Sequence, residues 1–394
     1  MSRAKIINFE LLCLNKNNYT AQELSNETLI RILDQLRSID GHDTLIGLLL
    51  LDGFIYKNND LFLTNMRTIQ EEAKKLGYTK IILITGMCED FGHVFKAHGI
   101  DVEIWFFDFW QNIIYESYKD ILDNLNPWNT SADQFLFLGG IPSRTNRIVL
   151  LSKFYDAGII NNQVWSFFPP WVDHDKEWCR QALLNYSDNQ YEQFLKDCTN
   201  SVDKMYDEAK DYSKLQGTEL FNSKIYTHPW VQDPSYIDPT VFNNTVFSVV
   251  SEGNAYPPAN DFKFITEKTW RAVINCHPFI IAGYTEQTEY ARQRGLRTFN
   301  QYFAIKDYDI ISDEYARLDA VVTNTKYFLE NFKDNVKSIQ DDVDHNYNLF
   351  FEVNNTHRNM FNILKNQYQI SENEITKWFK NKSFVPLVGV SIED

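Results

Sequence analysis

The feature that most constrains this chain is a repeated rhythm: short apolar runs that end in Gly or a polar turn, each followed by a stretch with helical spacing. "KIILITG" (80–86), "EDFGHVFKAHGI" and "VEIWFFDFW" (102–110) read in turn as strand, helix and strand. "TLIGLLLLDG" (44–53) is another long apolar run, and "NMRTIQEEAKKLGY" (65–78) reads as a helix stopped by Gly77. A continuous apolar run suits a strand buried on both faces, and strands joined through helices lie parallel. The N-terminal third is therefore expected to form a parallel sheet covered on both sides.

"DNLNPWNTSADQ" (123–134) is polar and turn-rich, and it reads as the boundary between domains at 1–130 and 131–394. The rhythm then restarts. "FLFLGG" (135–140) reads as a strand, "IPSRTN" as a turn, "RIVLLSKFYDAGII" (147–160) as a helix ending near Gly158, and "VWSFF" (164–168) as a strand. An acidic, helix-prone stretch at about 170–220 reads as a helical insertion. "TVFSVVSEG" (245–253) and "PFIIAG" (278–283) are further strands, with a helix starting near Thr266 between them. "TEQTEYARQRG" reads as a helix stopped by Gly295, "LRTFNQYF" as an extended segment, and the last hundred residues as mainly amphipathic helix. The expected fold class is α/β, with two Rossmann-like lobes facing each other across a cleft, parallel sheets, and a helical C-terminus. In such sheets ligands bind in the turns after the carboxyl ends of the strands.

Composition narrows the chemistry. A formal net charge of −15 over 394 residues argues against a protein built to grip a nucleic-acid backbone, although it leaves room for a local basic pocket. Cysteines at 13, 88, 179, 198 and 276 form no CxxC pair and read as reduced thiols of a cytoplasmic protein. No apolar run reaches the roughly 18 residues of a membrane span, and the N-terminus lacks a signal-peptide pattern. There is no GxGxxG, GxxxxGK[ST], GxSxG or HExxH sequence, which counts against a dehydrogenase, a P-loop enzyme, an α/β-hydrolase and a zinc site.

Three turns carry candidate ligand groups. Ser143, Arg144 and Arg147 follow the strand at 135–140, where a planar guanidinium and a helix N-terminus both suit phosphate. Ser251, Glu252 and Gly253 end the next strand. Thr266 is a plausible N-cap, with Glu267 and Lys268 in the first helical turn. Glu267 complements the helix dipole. Lys268 opposes it unless an anion offsets the charge, and a diphosphate would be such an anion.

"SVVSEGNAYPPANDFKFITEKTWRAVINCHPFIIAG" resembles the donor-binding region of the α1,3-fucosyltransferase-like glycosyltransferases, and is similar to glycosyltransferase-like proteins of phages and marine microbes. "FLGGIPSRTNRIVLLSKFYDAGII" resembles the first strand–turn–helix of the same nucleotide-binding lobe. The resemblance implies a GT-B fold, with an N-terminal acceptor lobe and a C-terminal lobe for a nucleotide-diphosphate sugar, a GDP-sugar first among them. It implies a metal-independent reaction, no further cofactor, and a glycan or other hydroxyl acceptor. Glu267 would hydrogen-bond the ribose or nucleotide, Lys268 would pair with a donor phosphate, and Glu252 would lie near the sugar or ribose. Arg147, with Arg144 as second choice, would balance the remaining diphosphate charge. Phe264 stands where that family favours Tyr, and Glu252-Gly253-Asn254 replaces a Glu-Asn pair.

An acceptor-side general base is expected after the strand at 80–86, at Glu89 or Asp90 in preference to Asp108 or His93. Asp173-His174-Asp175 has the Asp-x-Asp form that holds a metal in the other major glycosyltransferase fold, but follows no obvious strand end, so no metal ligand is assigned. Trp105, Trp110 and Trp171 are candidate sugar platforms that core packing could equally use. Two other readings stay open: a catalytically silent nucleotide-sugar-binding protein, and a glycosyltransferase acting on modified DNA bases.

Overall fold

The computed structural model describes residues 4–9, 29–38, 43–49, 60–86, 92–139, 145–160, 163–166, 196–201, 203–204, 237, 239–252 and 265–380. Two compact units divide the chain. The first comprises Met1–Glu116, Pro258–Phe264 and Glu352–Asp394, and the second Ser117–Pro257 and Ile265–Phe351.

The first unit holds four parallel strands in the order β1 (Ala4–Asn8), β2 (Thr44–Leu49), β3 (Lys80–Thr85) and β4 (Glu103–Phe106). Each new strand is added on the same side of the last, so right-handed crossovers must place all the connecting helices on one face. They do so: Ile32 and Leu36 of α1 (29–37), Phe62, Leu63 and Met66 of α2 (Asp60–Lys75), and Val94 and Phe95 of α3 (Gly92–Ala97) pack together with Leu45 and Leu83. Among the described residues the opposite face, with Ile6, Ile46, Leu48, Ile82 and Ile84, carries no crossover helix. Met360, Leu364, Tyr368, Ile370, Ile375 and Phe379, from the far end of the chain, cover it.

Several expectations change in this unit. "AKIIN", which the apolar rhythm did not single out, is the edge strand β1. The apolar run 102–110 is not one strand, because β4 stops at Phe106 and α4 (Phe109–Tyr118) begins three residues later. Asp108 causes the break: its Oδ1 accepts the Gln111 amide at 2.9 Å and caps the new helix. Gly77 ends α2 at φ +88°, in the left-handed conformation expected of a helix stop.

The second unit holds four parallel strands in the order β6 (Val164–Ser166), β5 (Phe135–Leu138), β7 (Phe247–Ser251) and β8 (Phe279–Ala282). The chain leaves β5 toward β6 and later resumes on β5's other flank, so crossovers on the two sides of β5 fall on opposite faces. On one face Phe135 and Phe137 meet Phe154 of α5 (Thr145–Asp156), and Phe247 stacks on Phe328 of α9 (Glu314–Asn331). On the other, Leu136 and Val164 pack with Ile237 and with Val241 and Phe242 of α6 (Pro239–Asn243).

The polar stretch 123–134 lies inside this unit, not at a domain boundary. Trp128 donates its indole N–H to the Val246 carbonyl at 2.8 Å, and Asn129 donates to the Asn243 carbonyl at 2.6 Å. "LRTFNQYF" carries a 3-10 turn, Asn300–Tyr302, in place of a fully extended path. The segment around 170–220, expected to be a helical insertion, lies largely outside the described residues; 196–201 are helical. Helix α10 (Val336–Tyr368) contributes to the second unit up to Phe351 and to the first from Glu352. The expected division, which gave all of 131–394 to one domain, differs on this point. A helical periodicity fixes which face is apolar, not which sheet receives it.

Candidate functional site

The change of direction in the second sheet falls between β5 and β7, and crevices at such points are where open parallel sheets bind ligands. A small concavity opens there, lined by Leu136 and Leu138 of β5, Ser248 to Ser251 of β7, Phe242, and Lys268, Arg271 and Ala272 of α7 (Glu267–Ile274). The polar residues of its lining are Ser248, Ser251, Lys268 and Arg271. Asn146, at the start of α5, donates to Ser251 Oγ at 3.4 Å and ties the turn after β5 to the end of β7.

Glu252 organises the start of α7. It follows β7 directly and is fully buried. Its Oε1 accepts the Thr266 amide at 3.1 Å, the Thr269 amide at 3.3 Å and the Thr269 hydroxyl at 2.6 Å, while Oε2 accepts the Thr266 hydroxyl at 2.5 Å. Thr266 is the N-cap, extended at φ −99°, and its Oγ1 accepts the Lys268 amide at 3.3 Å. The amides of Thr266, Lys268 and Thr269 are therefore all satisfied within the protein. The positive end of the helix dipole meets a buried carboxylate. Glu252 accordingly clamps the helix start, and its carboxylate is turned to these four donors.

Lys268 also finds a counter-charge close by. Its Nζ lies 2.6 Å from Glu267 Oε1 and 3.3 Å from Thr266 Oγ1. The first-turn cation, for which the sequence suggested a diphosphate, thus has a counter-ion on the preceding residue. Burial works to raise the Glu267 carboxyl, but Lys268 and Arg271 outweigh it and hold the group down to about 2. The charged carboxylate is held by the two cations beside it.

The strand entering from the other side is anchored by His277. Its Nδ1 lies 2.5 Å from Ser248 Oγ, and its Nε2 lies 2.9 Å from the Thr245 carbonyl. Burial lowers its pKa to about 4, so near neutral pH the imidazole is uncharged. It stitches the start of β8 to the residues before and within β7.

Among the sequence candidates, Glu252, Thr266, Glu267 and Lys268 come together at one helix start. Arg147 is buried in the first turn of α5, next to Asn146, in the turn region after β5. Arg144, Ser143, Gly253, Phe264, Glu89, Asp90, Asp173, His174, Asp175 and Trp171 lie outside the described residues. Asp108 is engaged as the α4 cap, and its amide donates to His357 Nε2 at 3.1 Å. His93 is exposed on α3. Trp105 donates to Glu103 at 2.6 Å and packs edge-on against Tyr368, while Trp110 packs on Phe109.

Arg271 carried no motif of its own, yet it lines the concavity beside Lys268. The signal was spacing, since three residues on along a helix returns to the same face. Among the described residues no three His, Cys, Asp or Glu side chains gather as metal ligands, and no helix is long and apolar enough to cross a membrane. Cys198 and Cys276 are free, and burial raises both thiols, to about 11 and about 12. No protein-family model matches the chain, and no curated protein or solved structure matches it significantly.

Proposed function

We propose that the protein is a glycosyltransferase of the GT-B type that takes its sugar from a nucleoside-diphosphate donor held by the second unit. The observation that carries this reading is the pair of cations, Lys268 and Arg271, set with Ser248 and Ser251 in a crevice between β5 and β7. Transfer from such a donor builds negative charge on the leaving diphosphate. Fixed cations in a partly dry crevice stabilise that charge, and protein groups can do so in place of a metal. Arg147, in the first turn after β5, is the third cation of the proposed donor site. Glu267 would contact the ribose or nucleotide, as the resemblance implies. The hydroxyl acceptor needs a general base, for which Glu89 and Asp90 are the proposed groups. A GDP-sugar is the first donor to try.

The test is a melting series with GDP, UDP, CDP, ADP and dTDP and their sugars. A bound nucleotide at about a hundred times its Kd stabilises by about 2.7 kcal/mol, which moves Tm by several degrees. The expected result is one base that raises Tm in the native protein and not in Lys268→Ala. Release of that nucleoside diphosphate from its sugar conjugate would then establish turnover. If no nucleoside diphosphate or its sugar shifts Tm, the reading fails.

A further inference from the structure

We propose that Glu267 is a built-in competitor for the donor's diphosphate: it holds the Lys268 ammonium within the helix start, and the incoming phosphate must displace it. This rests on the donor-site reading above and adds the way the site is gated.

Four observations carry it. The Lys268–Glu267 contact, at 2.6 Å, joins adjacent residues, so it forms without any long-range fold constraint and can break by side-chain rotation alone. Both side chains keep some solvent access, at 24% and 16%, so neither is locked in the core. Lys268 lines the concavity, and Glu267 is not among the residues that do, so the ammonium can turn between the carboxylate and a crevice ligand. Three of the backbone donors at this helix start are already engaged, the amides of Thr266 and Thr269 by Glu252 and that of Lys268 by the Thr266 hydroxyl. A phosphate is therefore met mainly by side chains, and one of the two cations on this face is the one that Glu267 holds.

The arrangement also explains why Glu252 and Glu267, fifteen residues apart, are not redundant. Glu252 neutralises the helix end permanently, from a buried position with four hydrogen bonds. Glu267 neutralises a cation reversibly, from a partly exposed one. A diphosphate that replaces it brings more charge to Lys268 and Arg271 than a single carboxylate does, which favours exchange over simple addition.

The experiment uses inorganic pyrophosphate on the full chain, because pyrophosphate has no ribose and isolates the phosphate contact from any ribose contact of Glu267. Titration calorimetry compares the native protein with Glu267→Gln, Lys268→Ala and the double variant. Removing a competing charge at a partly exposed site is expected to tighten pyrophosphate binding about fivefold in Glu267→Gln. Lys268→Ala is expected to weaken it, and Glu267→Gln is expected to give no gain in the Lys268→Ala background. Pyrophosphate that binds the native protein but binds Glu267→Gln equally or more weakly overturns the competitor role and leaves the donor site standing. Pyrophosphate that binds neither protein, with both giving native-like circular dichroism, overturns the donor site and the competitor together. A Glu267→Gln protein that loses the native spectrum also overturns the proposal, since the carboxylate would then be a structural requirement and not a displaceable partner.

Discussion

At the residue scale, Glu252 and His277 make the sharpest predictions because each is buried with named partners. Replacing Glu252 by Ala strands the Thr266 and Thr269 amides and hydroxyls away from water. Hydrogen bonds to a charged group are worth about 1.5–3 kcal/mol each and are not additive, so an overall loss of about 3 kcal/mol is expected in urea unfolding. Retention of native stability would mean that the helix start does not depend on the clamp. His277 makes a pH prediction. Its folded pKa, about 4, is below its ordinary value of 6.5, so between those limits the unfolded chain binds a proton that the folded imidazole refuses. Stability should therefore fall as pH drops from about 6.5 toward 4, by up to roughly 1.4 kcal/mol per unit, and His277→Gln should flatten that slope. Glu267 is held down to about 2 from its ordinary 4.5, so it stays charged in the folded state while the unfolded carboxyl takes up a proton, and it should add its own loss as pH falls from about 4.5 toward 2. At this scale the sequence was readable where a residue type had one natural role, as for Thr266 at the N-cap. It was not readable for Lys268, because the partner that balances a charge depends on rotamers as well as on spacing.

At the scale of elements, the strands were legible because a parallel sheet buries both faces and leaves continuous apolar runs, such as Lys80–Thr85 and Phe279–Ala282. Their ends were less so. The run at 102–110 joins a strand to a helix of equally apolar character, and only the Asp108 cap, bonded to the Gln111 amide, separates them. The short β1 was passed over because five residues give too little pattern to tell a strand from a patch. Its place is set by contact instead: Phe9, just beyond it, lies across Gly47 of β2, where a Cβ would stand 2.4 Å from the ring. That close approach predicts that Gly47→Ala destabilises the first unit by about 1–3 kcal/mol through overpacking. Phe9→Leu, which gives the methyl room, should restore part of the loss. A double-variant cycle in urea checks both, and full additivity would show that the two positions do not press on each other.

At the scale of the molecule, strand order dictates where the C-terminus must go. A sheet that runs β1-β2-β3-β4 in chain order can cover only one face with its own right-handed crossovers. The other face of a parallel sheet cannot be left to water, and Met360, Leu364, Tyr368, Ile370, Ile375 and Phe379, with Phe107 and Phe109, bury it. None of this was legible from the amphipathic pattern of the last hundred residues, since an apolar stripe names no partner. The second sheet reverses direction beside β5 and so receives helices on both faces from its own crossovers, which also creates the crevice that Lys268 and Arg271 line. The two units should therefore differ in their need for the C-terminal residues. In Leu364→Ala, a fully buried side chain is lost from the covering helix, at a cost of about 2–5 kcal/mol. Amide exchange is expected to speed up first in β1 to β4, with β5 to β8 retaining more of their protection. Uniform loss across both sheets would show that the covering helix stabilises the two units equally, and would remove the distinction drawn from strand order.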